Sequence, residues 1–135
     1  MTEDEFKAKI YQFLTHLMTD MDAAAEMMAD GFVWDNFLPD HVPFGGHYVG
    51  LAGMKQFFAE MGENWVIGEI VFSDVIVSQD GKRCAAVGVE KNGKAIPTGK
   101  VTDMEFVWIF RTDDAGKFTY VREYNDTNVM GQSFL

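Results

Sequence analysis

Near residue 65 the periodicity of this chain changes. Before that point apolar residues recur every three or four positions; after it they alternate, or run in short bands bounded by turn residues. Such a chain must lay the apolar faces of helices on one face of a sheet, which makes it an α+β domain. Phe6, Ile10, Phe13, Leu14 and Leu17 predict a first helix over about residues 3–18. Thr19-Asp20-Met21-Asp22 reads as a capping box opening a short helix over 23–29 that stops at Gly31. A strand is expected over 32–37 and a loop over 38–46, whose prolines and glycines disfavour regular structure. Leu51, Met54, Phe57, Phe58 and Met61 then mark a third helix.

The second half reads as antiparallel sheet. Runs at 66–78 and 83–91 flank Gln79-Asp80-Gly81-Lys82, whose Asp-Gly pair is a hairpin signal. Lys91-Asn92-Gly93-Lys94 reads as a second reversal, and Pro97 belongs at an edge or bend. Two long strands, about 101–111 and 117–126, enclose the turn Asp113-Asp114-Ala115-Gly116. With no repeat, linker or low-complexity segment, residues 1–135 form one domain. Helices covering one face of such a sheet leave room for a conical hollow.

Composition narrows the partners. Hydrophobic residues make up 47% of the chain and aromatics 14%, including 12 Phe and 9 Met, more than a compact core needs. The excess points to an apolar cavity or a subunit interface. Runs 66–78 and 101–111 are apolar on both parities, so a homodimer through the outer sheet face is expected. A net charge of −10 argues against nucleic acid, anionic membranes and polyanionic substrates. The acidic start Met1-Thr2-Glu3-Asp4-Glu5 is unlike a secretory signal, and no apolar run reaches membrane-spanning length, so a cytoplasmic protein is expected. The single Cys84 precludes an intramolecular disulfide and reads as a buried thiol.

Three ionisable side chains interrupt apolar stretches: Tyr11, Asp35 and Asp103. Burial disfavours a charged carboxylate, and proteins that retain such groups often use them to move protons in a dry pocket. The competing reading makes each a satisfied polar group at a core rim or strand end. Tyr120, Arg122, Tyr124 and Asp126 share one face of the last strand. If that face looks inward, Arg122 would orient Asp35 or Asp103; if outward, it forms a surface salt bridge, and Asp126 caps the strand end. His47 stands near the expected cavity mouth, where it would shuttle protons or be solvated. His41 and His47 match no metal-binding spacing, and no glycine-rich phosphate loop follows a strand. Neither a metal nor another cofactor is expected.

Phe32-Val33-Trp34-Asp35, Pro43-Phe44-Gly45-Gly46-His47-Tyr48-Val49-Gly50, Thr98 to Met104, and Arg122-Glu123-Tyr124-Asn125-Asp126-Thr127 occur in an order that resembles the NTF2-like superfamily. Within it, the chain is similar to SnoaL-like polyketide cyclases and ketosteroid isomerase-related proteins. The resemblance implies a cone of three N-terminal helices on a strongly curved antiparallel sheet enclosing an apolar pocket. It implies a general base at Asp35 and hydrogen-bond donors to an oxyanion at Tyr11 and a protonated Asp103. Trp34, Phe57, Trp108 and Tyr124 would form the walls around a hydrophobic small-molecule ligand. The implied activity is cofactor-free proton transfer on a hydrophobic carbonyl compound, as in isomerases or cyclases. Two alternatives stay open: a non-catalytic binding or assembly module, and a hydrolase using Arg122 in an Asp–Arg–Asp arrangement similar to that of limonene-epoxide hydrolases.

Overall fold

The structure is a computed structural model that describes all residues, Met1–Leu135. Three helices occupy the first half: α1 (Glu3–Thr19), α2 (Met21–Glu26) and α3 (Gly50–Asn64). Between them lie strands β1 (Met28–Asn36) and β2 (Gly46–Val49). The remainder is β3 (Trp65–Val66), β4 (Glu69–Val77), β5 (Arg83–Ala95), β6 (Val101–Thr112), β7 (Phe118–Asn125) and a last helix, α4 (Thr127–Ser133). The seven strands form one sheet in the order β2-β1-β7-β6-β5, with β3 and β4 both paired to β5. Only β1 and β7 run parallel. This is the α+β class expected.

Local chemistry explains the helix ends. The Thr2 hydroxyl accepts from the Glu5 amide at 3.2 Å, and Glu3, Asp4 and Glu5 place negative charge where the helix dipole favours it. Asp20 caps α2 through the Ala23 amide at 3.2 Å. Phe6, Ile10, Phe13, Leu14 and Leu17 are all buried against the sheet. Each such side chain contributes about 1.5–3 kcal/mol from burial. At Gly53 of α3 a Cβ would approach the Tyr48 backbone to 2.9 Å, so the missing side chain lets α3 press onto β2.

Four expectations need correction. The chain becomes a strand at Met28, not at residue 32, and Gly31, with φ of 75°, sits inside β1 at its irregular pairing with β7. Gly46–Val49, expected to open in a loop, pairs with β1. Lys91–Lys94 does not reverse the chain: β5 continues to Ala95 through a bulge, with Asn92 in the left-handed region at φ 58°. The same residue types serve turns and bulges, because both need positive φ. Finally, α4 was not anticipated; seven residues are too few for a clear amphipathic signature.

Strand parity sets the two faces. On β6, Met104, Phe106, Trp108 and Phe110 point into the core, while Val101, Asp103, Glu105, Val107 and Arg111 face outward. On β7, Val121 and Glu123 are buried on the inner face, and Tyr120, Arg122 and Tyr124 lie on the outer one. No helix is long and apolar enough to cross a membrane.

Candidate functional site

Positions on five strands, β1, β4, β5, β6 and β7, meet helices α1 and α3 around a cavity. Leu14 and Met18 of α1, Phe57, Phe58 and Met61 of α3, and Ile67 and Ile70 supply apolar surface, with Trp34 and Trp108 from the sheet. Only two polar side chains complete the lining: Glu90 of β5 and Glu123 of β7. The cavity measures about 50 Å³, room for a few water molecules, whereas a drug-sized ligand needs on the order of 300 Å³. A ligand must therefore displace wall residues, and Met18, 52% exposed, and the half-buried Phe58, Ile67 and Ile70 are the ones free to move.

Both carboxyl groups are buried, Glu90 at 6% exposure and Glu123 at 8%. The Trp34 indole N–H donates to Glu123 Oε2 at 2.8 Å, and the Trp65 indole N–H donates to Glu90 Oε2 at the same distance. The Gly68 amide adds a second bond to Glu90 Oε2 at 3.1 Å. Burial pushes the Glu123 carboxyl up to about 7; the Trp34 bond opposes that shift, and the negative charge of Glu90 adds to it. Glu90 is raised by burial too, against the pull of its Gly68 and Trp65 donors. A polar chain runs alongside: Trp108 Nε1 donates to Asn125 at 2.9 Å, and Asn125 donates to Asn36 at 3.0 Å. A carboxyl that changes protonation near neutrality at the wall of an apolar cavity, as Glu123 does, is equipped to move protons.

The structure does not bring Tyr11, Asp35 and Asp103 to one point. Asp35 alternates with Trp34 and so lies on the outer face, where it bonds His47 Nδ1 at 2.5 Å and accepts from the Tyr120 hydroxyl at 2.6 Å. Asp103 is exposed on the outer face of β6, accepting from the Asn92 amide at 2.9 Å beside the bulge. Tyr11, 37% exposed, packs its ring 5.0 Å from that of Phe72, and its hydroxyl makes no hydrogen bond within the protein.

Of the expected walls, Trp34, Phe57 and Trp108 do line the cavity, but Tyr124 is exposed on the outside. Arg122 faces outward as well and bridges no carboxylates; its guanidinium is sandwiched 4.5 Å from both the Phe37 and Tyr124 rings. His47, with 57% of its side chain exposed, pairs with Asp35 instead of facing the cavity. Asp126 caps α4 through the Val129 amide at 3.1 Å. The outer face also carries a wide, shallow groove of about 590 Å³ bordered by Val71, Val89, Val107 and Tyr124.

Glu90 and Glu123 escaped sequence reading because each adjoins another charged residue, Lys91 and Arg122, and looks solvated. Parity was the available signal. Glu123 is in phase with Val121 and out of phase with Arg122, and Glu90 is in phase with Cys84, Ala86 and Gly88.

A single curled sheet with helices packed on its inner face is the NTF2-like fold. Residues 11–121 match the model of the SnoaL-like domain, and the chain belongs to that family. No sequence relative of curated function matches. An NTF2-like protein from Burkholderia xenovorans has the same fold, with a TM-score of 0.79 at 20% identity over 100% of this chain and 99% of that one. A proposed isomerase from Bacillus subtilis gives a TM-score of 0.77 at 20% identity, covering 99% and 96% of the two chains. A Mycobacterium tuberculosis protein in complex with estradiol-17β-hemisuccinate gives 0.69 at 17% identity, covering 95% and 98%.

Proposed function

We propose that this protein binds a hydrophobic small molecule in its inner cavity and moves a proton on it without a cofactor, as an isomerase or cyclase does. The observation that carries this reading is the pair of buried carboxyls, Glu90 and Glu123, set as the only polar side chains in an apolar lining. The steroid-type ligand of the Mycobacterium tuberculosis relative and the isomerase assignment of the Bacillus subtilis one support it.

Burial and the negative charge of Glu90 both oppose ionisation of Glu123, so the working state has one glutamate ionised and the other protonated. The ionised member removes a hydrogen from the carbon beside a substrate carbonyl. The protonated member donates a hydrogen bond to the oxygen on which the enolate charge develops. Return of the same proton to a different carbon completes an isomerisation with no net gain or loss. Glu123, pushed up to about 7, is the favoured proton carrier.

The test follows exchange of α-hydrogens for deuterium by NMR in hydrophobic ketones, chosen by thermal-shift screening. Glu123→Gln is expected to slow exchange by about 100- to 10,000-fold, the usual size of a general-base contribution. Asp35→Asn is expected to leave the rate unchanged. If Asp35→Asn abolishes exchange and Glu123→Gln does not, the proton carrier lies on the outer face and this assignment is wrong.

We also propose a homodimer built on the outer sheet face. Ile76, Val101 and Tyr124 are each more than 40% exposed there, beside the Val71–Val89–Val107 groove. Sedimentation equilibrium should give a dimer at tens of micromolar, and Val107→Glu should give a monomer. A monomeric wild type under those conditions removes the proposal.

A further inference from the structure

We infer that the ligand of the inner cavity carries a positive charge: a hydrophobic amine in its protonated form, held by Glu90 and Glu123 within aromatic walls. This rests on the reading of the cavity as a small-molecule site, and it adds a requirement on the ligand.

The first ground is charge balance. No lysine, arginine or histidine lines the cavity, and the donors to its two carboxyls (the Trp34 and Trp65 indoles, the Gly68 amide and the Asn125 side chain) are neutral. Buried carboxylates are ordinarily paired with a cation, and here the protein supplies none. Both bonds to Glu90 fall on Oε2, so its Oε1 is left without a donor. An ammonium N–H would fill that place.

The second ground is the wall. Trp34 and Phe57 lie 6.0 Å apart and Phe57 and Phe58 5.5 Å apart by ring centroid, with Trp108 also in the lining. Rings grouped around a carboxyl suit an alkylammonium ion, whose charge is attracted by π faces while its carbons gain from burial. Neutral ligands gain from the rings alone, and anions are repelled by the glutamates.

The third ground is that the site is built. At Gly93 a Cβ would come within 2.3 Å of the Trp65 ring and 2.6 Å of Glu90 Oε2, so the bare backbone there lets the indole and the carboxyl meet. The chain's net charge of −10 draws cations toward it from solution as well.

Affinity for such a ligand depends on ionisation of the glutamates. The ionisable groups around Glu123 are Glu90 and Tyr48, and Tyr48 in turn donates to Glu60 at 3.0 Å; none of them is basic. Rising pH therefore charges the site and tightens a cation.

The test is a titration of the intact protein, read by tryptophan fluorescence, with 2-phenylethylammonium and its neutral isostere propylbenzene. At about pH 8 the cation should bind at least about tenfold tighter, a gap that narrows near pH 5.5 as Glu123 takes up a proton. Glu90→Gln and Glu123→Gln keep the side-chain shape and an acceptor for the indole. Each should weaken the cation about tenfold and leave the isostere unchanged. If the isostere binds as tightly as the cation at pH 8, the charge requirement is wrong while the hydrophobic cavity stands. If the cation binds but both Gln variants leave it untouched, it sits elsewhere and the inference fails. If neither compound binds at millimolar concentration, both the inference and the small-molecule reading fall.

Discussion

On the inner face of the sheet, Glu90 and Glu123 receive hydrogen bonds from neutral indole and amide groups, with no cation beside them. On the outer face, one strand away, Asp35 is held by an imidazole and a phenol, and its register neighbour on β7 is Arg122. The same residue chemistry meets two environments because successive side chains of β1 and β7 point to opposite sides. The inner pair is left under-compensated and its protonation is shifted upward by burial. The outer carboxylate has partners of its own, His47 and Tyr120, and ties β1 to β2 and β7. An acidic residue in an apolar stretch is therefore weak evidence of a site until its face is known.

Three measurements test this contrast. The largest effect belongs to pH. Glu123 has its carboxyl raised from 4.5 to about 7 in the folded state, so the folded form binds a proton that the unfolded form releases. Its contribution to stability is fully present below about pH 4.5 and is lost as pH rises through 7. The loss is on the order of 3 kcal/mol, from a shift of about 2.5 units at about 1.4 kcal/mol each. Urea unfolding at a series of pH values should show Glu123→Gln gaining on the wild type by about that amount between pH 4 and pH 8. Parallel curves for the two proteins would mean that Glu123 is not a desolvated carboxyl.

Asp35→Asn should act through packing and hydrogen bonding alone. Removing the charge that holds His47 and Tyr120 is expected to cost about 2 kcal/mol near neutral pH, the size of a charge-assisted hydrogen bond. A stability unchanged from wild type would show that the outer pair contributes nothing, and would reopen a functional role for it. The smallest effect is at the bulge between these faces. Asn92→Gly relieves a left-handed backbone at φ 58° and should raise stability by up to about 1 kcal/mol in thermal unfolding. A loss there would mean that the Asn92 side chain holds the bulge in place.

Much of the architecture was legible locally. The Phe6–Leu17 stripe, a helix start within residues 19–22, the Asp80-Gly81 hairpin and the long alternating strands follow from spacing and turn chemistry, which act over a few residues, although the cap is Asp20 and not Thr19. Where one motif serves two backbone outcomes, local reading failed: Asn92-Gly93 made a bulge, not a reversal, because β5 still had β3 and β6 to pair with beyond it. The aromatic walls Trp34, Phe57 and Trp108 were readable because large rings seek burial wherever the chain puts them.

The acid groups were another matter. Alternation along β7 separates Glu123 from Arg122, and alternation along β1 separates Trp34 from Asp35, yet neither pattern says which side is inside. That is decided when α1 and α3 settle on one face of the curled sheet and remove it from water. Local signals set most of the elements, their order and the alternation of faces, because those depend on neighbours close along the chain. Packing of the layers put Glu90 and Glu123 at the cavity: Asp35 is as buried as Glu123, at 8% exposure, but on the other face, and which face α1 and α3 cover is a property no single strand contains.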